Sequence, residues 1–171
     1  MAANRIPDGV RASAARVRLL VLDVDGVLTD GRLCYDAEGR ESKSFHVRDG
    51  YGMQQLMAGG IPIAVISGRR SAAAAARLAE LGVRHVHLGR NDKRVVLDQL
   101  LAELRISPAE VACVGDDVPD LPILRGAGLA ITVADAHPDV LAAVHWVTAA
   151  AGGCGAVREV CDLLLASRRE G

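Results

Sequence analysis

Residues 17–31, VRLLVLDVDGVLTDG, decide the fold and carry the first candidate site. The apolar run predicts a strand buried on both faces, and it ends at Asp23 and Asp25, which are followed by Gly26. Because side chains alternate along an extended chain, the two carboxylates lie on one side, and the glycine lets the backbone approach a ligand. The pattern predicts a ligand site at the carboxyl end of this strand, although D-x-D alone also fits a polar turn in which an aspartate caps a helix.

The rest of the chain alternates short β-branched runs with longer alanine- and leucine-rich segments. Further strands are predicted over residues 61–67, 84–88, 110–115 and 129–134, and helices over residues 49–60, 71–82, 91–105 and 120–128. This alternation predicts an α/β fold with a doubly wound parallel sheet. Residues 31–47 break the rhythm, because two alternating segments flank a D-A-E-G turn and predict a β-hairpin after the first strand.

The chain length of 171 residues fits one domain over residues 1–171. We expect residues 1–16 to form a flexible N-terminal arm, and residues 152–171 to form a C-terminal tail whose apolar spacing predicts a helix. The N-terminus lacks the apolar core of a signal peptide, and no stretch is long enough to span a membrane. The four cysteines form no C-x-x-C pair, so a reducing, cytoplasmic location is predicted.

The composition argues against two classes of ligand. The chain has 20 lysines and arginines against 21 aspartates and glutamates, a formal net charge of −1, so no basic field attracts nucleic acid. Aromatic residues make up 2% of the chain, too few for platforms on which bases stack. Recognition of a ligand is therefore expected to be mostly polar.

Three later segments supply groups that phosphoryl transfer uses. Ser67 ends the second predicted strand and offers a hydroxyl, Lys93 begins a helix, and the carboxylates Asp116, Asp117 and Asp120 follow the fourth strand. Each has a structural alternative: a helix cap, a solvated charge, or first-turn carboxylates favoured by the helix dipole. Their convergence at strand ends favours a phosphoryl-transfer site in which carboxylate oxygens hold a hard cation such as Mg²⁺.

The motifs DVDGVLTDG, ISGR, Lys93 and VGDDVPD resemble, in this order, the four motifs of the haloacid dehalogenase-like phosphatases. The intervals between them leave no room for a cap domain, so the chain is similar to the capless members with a Rossmann-like sheet. FHVRDGYGMQ, ISGRRSAAAAARLAELGV and GGCGAVREVCDLLL resemble more narrowly the 3-deoxy-D-manno-octulosonate 8-phosphate phosphatases. The resemblance covers nearly all of the chain after the first fifteen or so residues.

The resemblance implies a catalytic role for four residues. Asp23 is the expected nucleophile, which forms an aspartyl-phosphate. Asp25 is the expected general acid and base, and Ser67 and Lys93 are expected to donate hydrogen bonds to the phosphoryl oxygens.

It also implies a metal site and supporting carboxylates. Mg²⁺ is expected to be held by the Asp23 carboxylate, the Asp25 backbone carbonyl and Asp116, with Mn²⁺ and Co²⁺ as alternatives. Asp117 or Asp120 is expected to support Lys93 or the waters on the metal.

Substrate contacts and assembly are implied in the same way. A capless site is open, so the family's tetramer, in which the hairpin and tail reach neighbouring subunits, is the expected assembly. Arg69 and Arg77 are expected to bind the carboxylate or phosphate of the sugar, and Gln54 is expected to contact the sugar at a position where relatives often carry an arginine. The residues expected to line the sugar site are His46, Val47, Arg48, Asp49 and Gly50.

The function implied is a Mg²⁺-dependent phosphomonoesterase acting on a phosphorylated keto-sugar acid, the octulosonate 8-phosphate, in lipopolysaccharide precursor synthesis. An alternative is a nonulosonate (sialic-acid type) 9-phosphate phosphatase, whose members tend to carry an acidic residue where this chain has Ser71. A phospho-aspartate receiver domain shares the fold class and the acidic, hydroxyl and lysine groups. Its phospho-acceptor lies on a later strand, whereas here the D-x-D follows the first, so the motif order disfavours it.

Overall fold

The computed structural model describes residues 6–169. Its strands are β1 (Leu19–Leu22), β2 (Cys34–Tyr35), β3 (Glu41–Ser42), β4 (Ile63–Ser67), β5 (His85–Leu88), β6 (Val111–Val114), β7 (Leu129–Thr132) and β8 (Trp146–Val147). Its helices are α1 (Asp8–Ala15), α2 (Val47–Ala58), α3 (Ala72–Leu81), α4 (Lys93–Leu104), α5 (Leu121–Leu124), α6 (Pro138–Leu141) and α7 (Ala156–Arg169).

Six strands form a parallel sheet in the order β5-β4-β1-β6-β7-β8. Successive β1 side chains enter opposite cores: Leu20 and Leu22 pack with residues of α1, α2, α3 and α7, whereas Leu19 and Val21 pack with residues of α4, α5 and α6. Helices therefore cover both faces, which confirms the predicted doubly wound α/β fold. The strand β8 was not predicted, because a two-residue strand leaves no periodic signal.

The hairpin predicted after the first strand is present. β2 and β3 pair antiparallel, with Tyr35 opposite Glu41, and Asp36 closes the turn by accepting from the backbone N–H groups of Glu38 and Arg40 at 3.0 and 2.8 Å. Among the described residues, this hairpin is the only sheet structure between β1 and α2. The expected absence of a cap domain at this point is confirmed.

The N-terminal segment differs from the expected flexible arm. Residues 8–15 form α1, which packs against α7, and Val10 and Ala14 are buried. These two apolar residues are four apart and so share one helix face, which explains why the segment folds onto the core. Residues 1–5 lie outside the described part of the chain.

The described part of the C-terminal tail, residues 152–169, belongs to the core of its own chain, and residues 170–171 lie outside the described part. Helix α7 packs against α1 and α2, and the buried Asp49 of α2 accepts a hydrogen bond from the Arg158 backbone N–H at 2.8 Å. This carboxylate therefore provides an acceptor for one of the backbone N–H groups in the first turn of α7 that have no partner within the helix. None of the helices formed by residues 6–169 combines the length and apolar character needed to cross a bilayer.

Candidate active site

The predicted strand ends meet in one pocket. β1 lies between β4 and β6 in the sheet, and because the three strands are parallel, their carboxyl ends lie side by side. The pocket has a volume of about 540 Å³ and is lined by Asp23, Asp25, Gly31, Ser67, Gly68, Arg69, Asn91, Lys93, Asp116, Asp117, Pro119 and Asp120. All seven residues expected to act in catalysis, metal binding or their support are brought together here.

The loop after β1 depends on glycine where it passes Asp116. Gly26 has φ +86°, and a Cβ atom at this position would collide with the Asp116 carboxylate. The tail supports the same loop, because Gly153 donates its N–H to the Val27 carbonyl at 3.0 Å and Gly152 packs directly on the Gly26 carbonyl. The tail therefore acts on the site of its own chain.

Three carboxylates and one ammonium group lie together in the pocket, and we call Asp23, Lys93, Asp116 and Asp120 the acid-rich cluster. The Lys93 Nζ lies 3.2 Å from Asp23 Oδ1 and 2.6 Å from Asp120 Oδ1. Oxygens of the three carboxylates all lie within 4.8 Å of one another. The cluster therefore carries more negative than positive charge.

This excess of negative charge appears in the pKa values. Burial, followed by the charge of Asp120, raises the pKa of Asp23 to about 6 despite the nearby Lys93. Burial and the charges of Asp120 and Asp23 raise the pKa of Asp116 to about 8. Burial alone would lower the pKa of Lys93, but Asp23 and Asp120 raise it. A cation bound here would relieve the repulsion between the carboxylates.

The carboxylates of the acid-rich cluster differ in how far their oxygens are already occupied. Asp120 uses Oδ1 for Lys93 and Oδ2 for the backbone N–H groups of Asp116 and Asp117, at 3.1 and 3.3 Å. Asp116 Oδ1 is buried without a hydrogen-bond partner, and the buried Asp23 Oδ1 has only the ion pair with Lys93 at 3.2 Å. Asp120 therefore supports its neighbours, and Asp23 and Asp116 have oxygens suited to a hard divalent cation.

A second ionic group, the hairpin cluster, consists of Asp25, Glu41, Lys43 and Arg69. Lys43 contacts Asp25 Oδ1, and its Nζ lies 3.5 Å from Glu41 Oε1. Arg69 Nη2 donates to Glu41 Oε2 at 2.6 Å and to the Tyr35 hydroxyl at 2.9 Å. Arg69, expected to bind the sugar acid, is thus already paired.

The sequence analysis did not identify Lys43, Glu41 or Tyr35. A signal was present, because Glu41 and Lys43 are two residues apart in a predicted strand and so share one side of it. Asn91, which lines the pocket, was also missed, since a single asparagine before a helix is typical of an ordinary turn.

Most residues expected to contact the sugar lie outside this pocket. His46 caps α2 by accepting from the Arg48 N–H at 3.2 Å, Val47 is 75% exposed, and Asp49 caps α7 as described. Within one chain the expected sugar contacts His46, Val47, Arg48, Asp49 and Gly50 do not line the catalytic pocket.

Three further expected contacts have distinct positions. Arg77 Nη1 pairs with Glu80 at 2.9 Å and lies in a narrow cleft beside α2. Gln54 lines a groove of about 520 Å³ at the amino ends of β4 and β5, the opposite edge of the sheet. Of the two arginines expected to bind the sugar carboxylate or phosphate, only Arg69 lines the catalytic pocket.

Comparison with known proteins places this site in a family. A profile of haloacid dehalogenase-like hydrolases matches residues 87–159. The 3-deoxy-D-manno-octulosonate 8-phosphate phosphatase of Yersinia pestis is 47% identical over 160 residues, which cover 94% of this chain and 86% of the relative. The chain belongs to the 3-deoxy-D-manno-octulosonate 8-phosphate phosphatase family. The resemblance stated from the motifs is confirmed, and the receiver-domain alternative is wrong.

Two solved structures of this phosphatase family share the fold. The enzyme of Moraxella catarrhalis, in complex with magnesium, phosphate and KDO, is 41% identical with a TM-score of 0.92 and covers 94% of this chain and 92% of its own. The cobalt-bound enzyme of Haemophilus influenzae is 41% identical with a TM-score of 0.88 and covers 92% of each chain. Both structures hold a divalent cation.

Proposed function

We propose that this chain is a Mg²⁺-dependent phosphomonoesterase that hydrolyses 3-deoxy-D-manno-octulosonate 8-phosphate to the free sugar acid and inorganic phosphate. The observation that carries the proposal is the meeting of Asp23 and Asp25 with Lys93 and Asp116 in one pocket. The named activity of the Yersinia pestis relative supports the choice of substrate. The free sugar acid would then serve lipopolysaccharide precursor synthesis.

The metal would be held by the carboxylates of Asp23 and Asp116, together with the Asp25 carbonyl. The partnerless Oδ1 of Asp116 fits this role, as does the proximity of the Asp23 and Asp116 carboxylates, whose oxygens lie within 4.8 Å of each other. When bound, a divalent cation neutralises the charge between a carboxylate nucleophile and an anionic phosphate. Co²⁺ and Mn²⁺ have the same preference for oxygen ligands at such a site, and the cobalt-bound relative supports Co²⁺ as a substitute.

In the first half of the reaction, the Asp23 carboxylate attacks phosphorus and the bond between phosphorus and the sugar oxygen breaks. Asp25 gives its proton to that oxygen, so the sugar leaves as an alcohol. Lys93 and Ser67 line the pocket and donate hydrogen bonds to the phosphoryl oxygens.

In the second half, water attacks the phosphorus of the aspartyl-phosphate. Asp25 takes a proton from that water, and the bond from phosphorus to Asp23 breaks, which regenerates the carboxylate and releases inorganic phosphate. The same carboxyl group thus gives one proton and takes one, and it returns to its starting state after each turnover.

The test is phosphate release from octulosonate 8-phosphate, a nonulosonate 9-phosphate and hexose phosphates, each with Mg²⁺ and with EDTA, using Asp23→Asn as the blank. Metal-dependent preference for the octulosonate is the expected result. Preference for the nonulosonate would establish the alternative substrate. Equal, weak release from all of them would retain a phosphatase and reject the assigned sugar.

Assembly, location and domain organisation are also proposed. The exposed apolar side chains of Leu33, Tyr35, Val47 and Tyr51 lie on the hairpin and the start of α2, which supports a homotetramer that closes the open pocket. The four cysteines are free, which supports a cytoplasmic location. We propose a single domain over residues 1–171, and light scattering with a mass of four chains would establish the assembly.

A further inference from the structure

Lys43 is a buried lysine that no role above accounts for. It follows β3 on the hairpin, and its side chain is 1% exposed. Its ammonium group contacts Asp25 Oδ1 and lies 3.5 Å from Glu41 Oε1. Taking an ammonium group out of water is costly unless carboxylates surround it, so the fold maintains this contact at an energetic cost.

The contact divides the two oxygens of Asp25 between two tasks. Oδ1 is held by Lys43, whereas Oδ2 is buried without a hydrogen-bond partner and lies 3.7 Å from Arg69 Nε. Asp25 and Arg69 line the catalytic pocket, but Lys43 does not. Lys43 therefore reaches the site only through Asp25, and it leaves Asp25 Oδ2 without a hydrogen bond.

We propose that Lys43 is a positioning residue for the reaction, which fixes the Asp25 carboxyl group so that its Oδ2 faces the departing sugar oxygen. This inference rests on the proposed function, in which Asp25 gives that proton. Glu41 completes the arrangement, because it pairs with Arg69 and lies beside Lys43. The hairpin thus positions the acid of its own chain.

The consequence is a dependence on the leaving group. A sugar oxygen departs poorly unless it is protonated, whereas an aryl oxide stabilises its own negative charge and needs little help from an acid. A carboxyl group that is free to rotate spends less time in the productive orientation, and small errors of placement cost about 10²-fold in rate. Loss of Lys43 should therefore slow sugar phosphates far more than aryl phosphates.

The experiment compares kcat/KM for octulosonate 8-phosphate and p-nitrophenyl phosphate in wild type and Lys43→Met. This ratio reports the steps up to departure of the alcohol or phenol, so a slow second half does not obscure it. Arg40→Met is the matched control, because Arg40 is a hairpin cation that pairs with Asp36 and Glu38. Lys43→Gln is the second variant, in case Lys43→Met does not fold.

We expect Lys43→Met to lose at least about tenfold in kcat/KM on the sugar phosphate and less than about threefold on the aryl phosphate, as general acid catalysis requires. Arg40→Met should change neither value. An equal loss on both substrates would show that Lys43 only maintains the fold, and no loss would show that Asp25 needs no positioning. Either result overturns the proposal.

Asp25→Asn separates this proposal from the one on which it rests. If Asp25→Asn keeps full activity, the role of Asp25 is wrong and the proposed mechanism fails. If Asp25→Asn is inactive on the sugar phosphate but Lys43→Met is not, only the role of Lys43 fails. In the double variant, Lys43→Met should add no further loss on the aryl phosphate, because its effect passes through Asp25.

Discussion

The two ionic clusters of the pocket contain the same kinds of side chain and differ in their balance of charge. The acid-rich cluster groups three carboxylates with a single cation, Lys93, which pairs with Asp23 and Asp120. The hairpin cluster sets Asp25 and Glu41 against Lys43 and Arg69, so its charges are matched. An excess of carboxylates over cations is therefore the feature that favours cation binding, whereas a cluster with matched charges holds a side chain in place.

The carboxyl groups respond to this difference in opposite directions. Burial and neighbouring carboxylates raise the pKa values of Asp23 and Asp116. Hydrogen bonds from Ser71 and Arg69 lower the pKa of Glu41. Burial thus favours the neutral forms of Asp23 and Asp116, whereas hydrogen bonds favour the charged form of Glu41.

The largest expected effect is on turnover. Asp23→Asn removes the nucleophile, and loss of such a group lowers kcat by on the order of 10⁴-fold or more. Folding should remain intact, because the amide fits the same space and relieves the repulsion from Asp116 and Asp120. Phosphate release and thermal unfolding measure the two quantities. A variant that keeps most of its activity would remove Asp23 as the nucleophile.

The next largest effect is a loss of stability when Lys93, the single cation of the acid-rich cluster, is replaced. Lys93→Met leaves Asp23 and the buried Asp120 without their shared partner, and breaking a buried ion pair costs roughly 3–5 kcal/mol. Denaturant unfolding in EDTA measures this loss. Arg94→Met is the matched control on the same helix, because its exposed pair with Asp98 contributes little. Equal stability of the two variants would show that Asp23 and Asp120 do not depend on the charge of Lys93 in the folded state.

Removal of a carboxylate should have the opposite sign. In EDTA, Asp116→Asn should raise the free energy of unfolding by roughly 1–3 kcal/mol, because the pKa shift means that the fold disfavours the charged form. Asp117→Asn should gain less, since Asp117 is more exposed. With Mg²⁺, wild type should become more stable than Asp116→Asn, because the variant lacks one of the proposed ligands and gains less from binding. A loss of stability for Asp116→Asn in EDTA would contradict this account.

The pH dependence of wild type in EDTA tests the same imbalance without a mutation. The pKa of Asp116 is about 8 in the fold against an ordinary value of 3.8, and that of Asp23 is about 6. Between the ordinary pKa of 3.8 and these raised values, the folded state retains protons that the unfolded chain has released. The free energy of unfolding should therefore fall as pH rises from about 4 to 8. Saturating Mg²⁺ should abolish the decline. Denaturant unfolding curves over this pH range measure the change. A rise in stability with pH would contradict the raised pKa values of Asp23 and Asp116.

The sequence predicted the acid-rich cluster far better than the hairpin cluster. Parallel strands bring their carboxyl ends to one edge, so Asp23, Ser67, Lys93 and Asp116 could be placed together from their positions at or after the predicted strands. Lys43 meets Asp25 through the orientation of a hairpin outside the main sheet, and no strand order specifies that orientation.

The contacts expected for the sugar show a second limit. Asp49 belongs to the motif HVRDG, but in the structure it caps α7, and His46 caps its own helix. A motif records that a side chain matters without stating whether it contacts a ligand or another helix. The N-terminal helix was missed for another reason. α1 has eight residues, and so short a helix gives too little apolar periodicity to be predicted from sequence.

The smallest expected effect comes from ion pairs on the solvent side of the hairpin. Arg40 pairs with Asp36 at 2.6 Å and with Glu38 at 3.0 Å, but its side chain is 76% exposed. In water such pairs lose most of their Coulomb energy to screening. Arg40→Met should therefore leave the unfolding midpoint nearly unchanged, whereas Lys43→Met should lower it, because removal of the buried ammonium leaves Asp25 and Glu41 facing each other without it. Added salt should diminish the small Arg40 effect and leave the Lys43 effect intact. Equal salt sensitivity of the two variants would show that Lys43 is solvated in solution. The hairpin cluster would then not hold Asp25 in place through a buried ion pair.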